Sequence, residues 1–384
     1  MLYAKILRVW SIGVYGLLCL GIAVCPNEGR TQTESVKSAE VHSDGQVTFR
    51  LHAPEAQNVQ VHWDSATESM KQGENGLWSV TVGPLQPDFY VYRFYVDGEG
   101  KTDPENSRVV INGRTSWSVL EVFGDQPLPQ ENRDVPHGTV HEQEMYSRIL
   151  DDTRRFYVYT PPGYAALPDQ KYPVLYLFHG GGQSEESWLQ LGRANLILDN
   201  LIAASKVPPM LLVIPMVYGR RNPLIRPRTF DARAEVAHAL EEFPGYMMDE
   251  LRPFIAKHYR IDENRESQAI AGLSNGASHS RTIFMHHLDK FAYVGIWSGG
   301  GKQPSLDRDM EYLRANAGLL QRYPPKLVHV GRGKLETYNQ EQMLTRIQSV
   351  FDVVFYAGVS GHDFRSWRSL LVDFATRLFR DEKK

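Results

Sequence analysis

Two regimes of hydrophobic patterning divide the chain. In the first, apolar and polar residues alternate in short runs: Val47-Thr48-Phe49-Arg50-Leu51, Val59-Gln60-Val61-His62-Trp63, Leu77 to Val82, Tyr90 to Val96 and Trp117 to Val122. Turn signals separate them at Asp44-Gly45, Glu74-Asn75-Gly76 and Asp97-Gly98. Strands half buried on one face show this period of two, and short strands joined by regular turns predict a β-sandwich over residues 40–124. Trp63, Trp78, Tyr92 and Phe94 either pack that sandwich or form a sugar platform. Packing is the expectation, because the core of a small sandwich needs inward aromatics.

From residue 137 onward the runs become almost continuously apolar. Gly138 to Tyr146 and Thr153 to Thr160 read as two edge strands. Tyr172 to Phe178, Met210 to Pro215 and Ser267 to Ala271 read as buried strands, and Tyr293 to Trp297, Lys326 to Val330 and Val353 to Tyr356 as further strands. Ala194 to Ala204, Ala232 to His258 (interrupted at Pro244-Gly245) and Ala277 to His287 read as helices between them. Strands alternating with helices predict an α/β domain over 137–384, built on a doubly wound, mainly parallel sheet. Residues 125–136, with Pro127, Pro129 and Pro136, form a stiff linker.

The N-terminus follows neither pattern. Lys5 and Arg8 lead into an apolar run from Val9 to Val24, which ends at Cys25-Pro26. The run is short for a membrane span, so residues 1–25 read as a secretory signal, with a membrane anchor as the alternative. Ile22-Ala23-Val24-Cys25 loosely resembles a bacterial lipobox, with Val24 bulkier than that pattern prefers; lipidation of Cys25 is a second alternative. The expected location is therefore outside the cell or in the periplasm or outer surface of a bacterium, and residues 26–39 read as a polar linker. Both cysteines, Cys19 and Cys25, lie in the signal, which leaves no disulfide or cysteine metal ligand beyond it. A net charge of −3 without a long basic run excludes a nucleic-acid footprint.

The chemistry concentrates at strand ends, where open α/β sheets build their sites. Gly272-Leu273-Ser274-Asn275-Gly276 is a G-x-S-x-G sequence between a strand and a helix. Such a corner lifts a serine hydroxyl clear of the sheet, and its glycines let strand and helix backbones pass closely. His179-Gly180-Gly181-Gly182 follows the first buried strand. Its backbone N–H groups are natural partners of the Asn275 N–H in an oxyanion hole, Gly181 being the first candidate and Gly180 the second. His362 follows the last strand and suits a general base, since imidazole takes and returns a proton near neutrality. Glu336 is the first carboxylate after the penultimate strand and would orient His362; Asp352, at the wrong end of the last strand, is the runner-up. The order serine, acid, histidine is that of α/β-hydrolases.

On these residues the second domain resembles carbohydrate esterase family 1, the esterase-D-like group that includes feruloyl esterases. The resemblance rests on Tyr157 to Tyr164, Tyr172 to Gly182, Leu198 to Ala203, Ala271 to Gly276, Leu288 to Tyr293 and Gly361 to Arg368. Phe49 to Pro54, Trp63, Gly76-Leu77-Trp78, Tyr92 to Gly98 and Asp103-Pro104 resemble a family 48 carbohydrate-binding module, which implies an immunoglobulin-like sandwich. Asn275 stands where the family usually has an apolar residue, Ala277 where a second glycine is common, and Glu336 where Asp is more frequent.

The resemblance implies a secreted serine esterase that releases hydroxycinnamate from esterified plant polysaccharide, needing no metal or cofactor. The alternatives are an acetyl-xylan or siderophore esterase on the same scaffold and, from another class, a non-catalytic glycan-binding protein. Trp188, Trp297 and Trp367 are candidates for lining the acyl or sugar pocket. The arginine-rich segment 218–233 is either a solvated loop or a contact for an anionic or sugar-decorated substrate.

Overall fold

The computed structural model describes residues 36–63, 66–112, 115–219, 241–299, 303–337 and 341–380. The signal and most of the linker at 26–39, and the arginine-rich segment from residue 220 on, lie outside the described residues. The described residues from Lys37 on form one compact unit.

The alternating runs fold as an antiparallel sandwich. One sheet has the order β1-β2-β6-β5, from β1 (Glu40–Val41), β2 (Val47–His52), β5 (Lys71–Gln72) and β6 (Leu77–Val82). The other runs β4-β3-β7-β10-β9, with β3 (Val59–Trp63), β4 (Ala66–Ser69), β7 (Asp88–Val96), β9 (Val109–Asn112) and β10 (Thr115–Val122); β8 (Glu99–Lys101) pairs with β7. The inward positions of the alternation supply Phe49, Val59, Val61, Tyr92 and Phe94 to the core, each fully buried. Trp63 and Trp78 join them. The aromatics in question therefore pack the sandwich and offer no sugar platform. Strand β7 serves both faces: Tyr90, Tyr92 and Phe94 point inward, while Phe89 packs outward against Val119 and Leu191. Leu191 belongs to the following domain.

That domain is built on an eight-stranded sheet of order β11-β12-β14-β13-β15-β16-β17-β18. Its strands are β11 (Thr139–Ser147), β12 (Asp152–Thr160), β13 (Val174–Phe178), β14 (Leu211–Pro215), β15 (Gln268–Leu273), β16 (Tyr293–Trp297), β17 (Leu327–Gly333) and β18 (Val353–Gly358). From β14 to β18 all neighbours are parallel. Only β11 is an edge of the first pair, because β12 also pairs with β14. With β11 on one side and the fully buried β14 on the other, β12 has no open edge, which corrects the expectation of two edge strands.

The helices are α1 (Ser187–Gln190), α2 (Ala194–Ala203), α3 (Arg252–His258), α4 (Asn275–His286), α5 (Gln303–Ala315), α6 (Ala317–Arg322), α7 (Glu341–Gln348) and α8 (Phe364–Ala375). Residues of β13 alternate between two cores. Val174, Tyr176 and Phe178 meet α3, α4, α5 and α7 on one face, whereas Leu175 and Leu177 meet α2 and α8 on the other. No interruption occurs at Pro244-Gly245; instead the chain widens into a π-helical turn at Tyr246–Leu251, which leads into α3. Pro253 explains the widening: it has no N–H to give, and its ring would strike the carbonyl four residues back in a regular α-turn.

Candidate active site

The parallel register brings the carboxyl ends of β13, β15, β16, β17 and β18 to one edge. The loops after them carry, in spatial order, His179 to Gln183, Ser274, Ser298, Glu336 and His362.

Ser274 sits between β15 and α4 with φ 52° and ψ −113°. For a residue with a Cβ this is strained backbone, which persists only where the surroundings over-determine it. The surroundings do so here. A Cβ on Gly272 would lie 2.4 Å from the Gly276 carbonyl, and one on Gly276 would lie 2.5 Å from the His179 carbonyl oxygen. The Ser274 N–H donates to the Trp297 carbonyl at 2.8 Å, which pins the corner to β16. Asn275 opens the helix, two residues earlier than expected, so its N–H is one of those with no acceptor inside the helix.

The oxyanion side is organised by His179. This imidazole is fully buried. Its Nε2 accepts from the Val217 N–H at 3.2 Å, so Nδ1 carries the proton and donates to the Gly180 carbonyl at 2.8 Å. Burial pushes its pKa down to about 4 and keeps it neutral. The Gly180 N–H already donates to the Gln183 side chain at 2.8 Å. Gly180 is thereby removed from the candidate oxyanion donors. Gly181 remains: a Cβ there would lie 2.6 Å from the side-chain amide nitrogen, Nδ2, of Asn275, so the two residues adjoin.

Glu336 and His362 meet across the ends of β17 and β18. The Glu336 carboxylate is completely buried, and its Oε2 lies 3.3 Å from Nδ1 of His362, whose side chain is 31% exposed. That is long for a charge-assisted hydrogen bond, as catalytic contacts often are before substrate binds. The other oxygen accepts from the Ser298 hydroxyl and, at 2.9 Å, from the Gly333 N–H. Burial alone would raise the Glu336 pKa, but the bonds from His362, Ser298 and Gly333 together outweigh it, and the carboxyl stays below its ordinary range. The Asp363 carboxylate caps α8 at the Ser366 N–H and accepts from Ser360 and the Gly361 N–H. It thus fixes the loop on which His362 stands. The indole of Trp367 meets the imidazole edge-on at 5.1 Å and donates to Ser298 at 2.9 Å. Asp352, exposed at the start of β18, is far along the strand from this group.

Of the three candidate pocket tryptophans, two are core residues. Trp188 and Trp297 are fully buried, donating to the Phe178 carbonyl and to His329. Their indoles fill the layer between the sheet and α8, where no ligand reaches. Trp367 does line a cavity of about 140 Å³ beside His362. Its other walls are Leu191, Asp363, Phe364 and Arg368, with Phe89, Val91, Asn112 and Trp117 from the sandwich and Gln183 from the oxyanion loop. A larger groove, about 370 Å³, runs along α8 on its Arg365–Asp373 side, and no member of the Ser274, Glu336, His362 set lines it. Among the described residues, no cluster of His, Cys, Asp or Glu is placed to hold a metal ion. Sequence reasoning missed Ser298, Gln183 and the sandwich's share of the cavity. The one available signal was the Ser298-Gly299 step directly after a buried strand.

A family model described as "Putative esterase" matches residues 147–378. The chain belongs to this esterase family. A second model, carbohydrate-binding module 48 (isoamylase N-terminal domain), matches residues 37–111, as the sandwich motifs led one to expect. An endo-1,4-beta-xylanase/feruloyl esterase from Xylanibacter ruminicola is 30% identical over 352 residues, covering 88% of this chain and 46% of that protein. The chain spans about half or less of the length of the curated relatives it matches. Among solved structures, the enterobactin esterase of Shigella flexneri aligns with TM-score 0.65 at 19% identity, over 87% of this chain and 94% of that one. A ferulic acid esterase from Anaeromyces mucronatus, solved with ferulic acid, aligns with TM-score 0.54 at 20% identity, over 71% and 97%. At these identities the structural likeness establishes the α/β-hydrolase fold alone.

Proposed function

We propose that this chain is a secreted serine carboxylic-ester hydrolase acting on hydroxycinnamate esters of plant polysaccharide. In this reading the Ser274 hydroxyl attacks the ester carbonyl while His362 takes its proton. Glu336 holds the imidazole and stabilises the imidazolium, and the Gly181 and Asn275 N–H groups receive the oxyanion. The alcohol leaves with the proton from His362, and water hydrolyses the acyl-enzyme by the same route. Each oxyanion donor is worth on the order of a hundredfold or more in rate.

The observation that carries the substrate class is the cavity beside His362. Phe89, Val91, Leu191, Phe364 and Trp367 give it an apolar wall, and Asn112, Gln183, Asp363 and Arg368 supply polar groups. A planar phenolic acyl group matches that mixture, and an acetyl group would leave most of it empty. The Xylanibacter ruminicola relative, named for feruloyl ester and xylan hydrolysis, supports the same reading. A second reading draws on the enterobactin esterase, whose likeness extends over the sandwich as well: the acyl group would then be an N-(2,3-dihydroxybenzoyl)serine of a siderophore.

Ferulate release from methyl ferulate and from feruloylated arabinoxylan, for wild type and Ser274→Ala, tests the proposal. Wild-type release that disappears in Ser274→Ala supports nucleophile and substrate class together. Turnover of 2,3-dihydroxybenzoyl-serine esters in preference to ferulate would transfer the assignment to the second reading, and turnover of short acetyl esters only would remove the aromatic pocket from it.

A further inference from the structure

His362 leads directly into α8, and α8 is held from the sandwich. Asp88, at the start of β7, is buried. Its Oδ1 accepts from Arg368 at 2.8 Å, from Gln130 at 2.7 Å and from the Phe89 N–H at 2.8 Å, and its Oδ2 accepts from Arg365 at 3.1 Å. Arg368 is itself only 3% exposed and reaches on to the carbonyls of Leu191 and Phe89.

Both arginines lie in the first two turns of a helix, where the positive end of the macrodipole disfavours cations. The Asp363 cap offsets part of this, but its carboxylate is occupied by the loop that carries His362. Asp88 is a counter-charge that both arginines share. Between the two clamped arginines stands Trp367, which packs against the imidazole and bonds Ser298, which in turn bonds Glu336.

We propose that Asp88 is a positioning residue for ester hydrolysis: from the sandwich, it fixes the start of α8 and, through Trp367 and the Asp363 loop, the imidazole of His362. The proposal rests on the serine-esterase reading above. It gives the sandwich a role in turnover of substrates that carry no glycan. With Asp88 neutralised, a buried guanidinium loses its counter-ion, and the helix start must shift to hydrate it. A displacement near 1 Å at a general base costs about a hundredfold in rate.

The experiment compares wild type with Asp88→Asn and Asp88→Glu on two probes that never reach a glycan site: p-nitrophenyl acetate turnover, and the rate at which a small fluorophosphonate labels Ser274. The expected result for Asp88→Asn is a fall of about 10- to 100-fold in kcat and in labelling rate, with KM within about twofold. Asp88→Glu should recover part of the loss, because it restores charge at imperfect reach. In an Arg365→Gln/Arg368→Met background, Asp88→Asn should cost far less than in wild type, since its charged partners are gone and only the bonds from Gln130 and the Phe89 N–H remain.

A folded Asp88→Asn variant with wild-type kcat and labelling overturns the proposal. So does a loss confined to KM, or losses that simply add in the triple variant. Should Asp88→Asn fail to fold, Arg365→Gln removes the less buried half of the clamp; a kcat loss there supports the proposal and wild-type kcat overturns it. Absence of labelling in wild type would instead overturn the esterase reading on which this one stands.

Discussion

Protonating His179 would break the bond from the Val217 N–H, because Nε2 would then carry a proton facing another donor. Its pKa is about 4 in the fold and about 6.5 in an unfolded chain. Between those values the unfolded state binds the extra proton, so stability is complete above pH ~6.5 and declines as pH falls toward 4. The Glu336 carboxyl, held below its ordinary range, adds a loss of the same sign, but only as pH falls below the usual carboxylate value. Urea unfolding at pH 7 and pH 5 should therefore show wild type losing about 2 kcal/mol more than His179→Gln, which cannot titrate. Parallel losses in the two proteins would mean that His179 does not carry the acid sensitivity. At this scale, Ser274, Glu336 and His362 were legible because each follows a strand whose end the hydrophobic pattern locates. Trp188 and Trp297 were misassigned because a large aromatic at the end of a strand or on a short helix beyond one reads the same whether it fills a core or lines a cleft; only its neighbours differ. Ser298 was invisible because its partners, Glu336 and Trp367, lie 38 and 69 positions away.

The strand-turn-helix element around Ser274 depends on backbone atoms that cannot swing aside. A Cβ on Gly276 would meet the carbonyl oxygens of His179 at 2.5 Å and Phe178 at 2.8 Å, both fixed at the end of β13. Gly276→Ala should therefore force α4 away from β13, separate Asn275 from Gly181 and cost about a hundredfold or more in kcat. Gly182→Ala is the useful contrast: no atom lies within 4 Å of its Cβ, and its φ of +75° costs only about 1 kcal/mol. Melting curves and ester turnover measured on both variants decide the point, and equal effects from the two would contradict the crowding argument. Strands of five or more residues with a clear period were legible, and β3, β6 and β16 have the bounds that their alternation or apolar run implies, whereas the helices α5, α7 and α8 were not singled out. The short strands β4, β5 and β8 were not, since two to four mostly exposed residues carry no period. Nor was the π-helical turn, because Pro244-Gly245 looks like a helix breaker in one dimension while Pro253 does the reshaping.

At the scale of the whole molecule, composition and pattern separate the sandwich from the α/β sheet but say nothing of how they join. The join is made by pairs far apart in sequence. Phe89 and Val119 pack on Leu191, with Val91, Val110 and Phe364 around them. Arg193 reaches Glu121 at 2.6 Å and lies 4.2 Å over the Phe89 ring. Together with the Asp88 clamp, this buries apolar surface and ion pairs that neither half can satisfy alone, so the two should unfold as one cooperative unit. Val119 is the place to test it: it is 5% exposed in the contact and does not line the cavity beside His362. Val119→Asp sets a carboxylate in that apolar contact, at a cost of several kcal/mol unless the surfaces part. Calorimetry should show one transition in wild type and two in Val119→Asp, the sandwich melting first because its core is smaller. Ester turnover should fall with the separation, since Phe89, Val91, Asn112 and Trp117 leave the cavity with the sandwich. A variant that keeps a single transition at the wild-type temperature would show instead that the contact contributes little, and that the clamp at Asp88 holds the two parts without it.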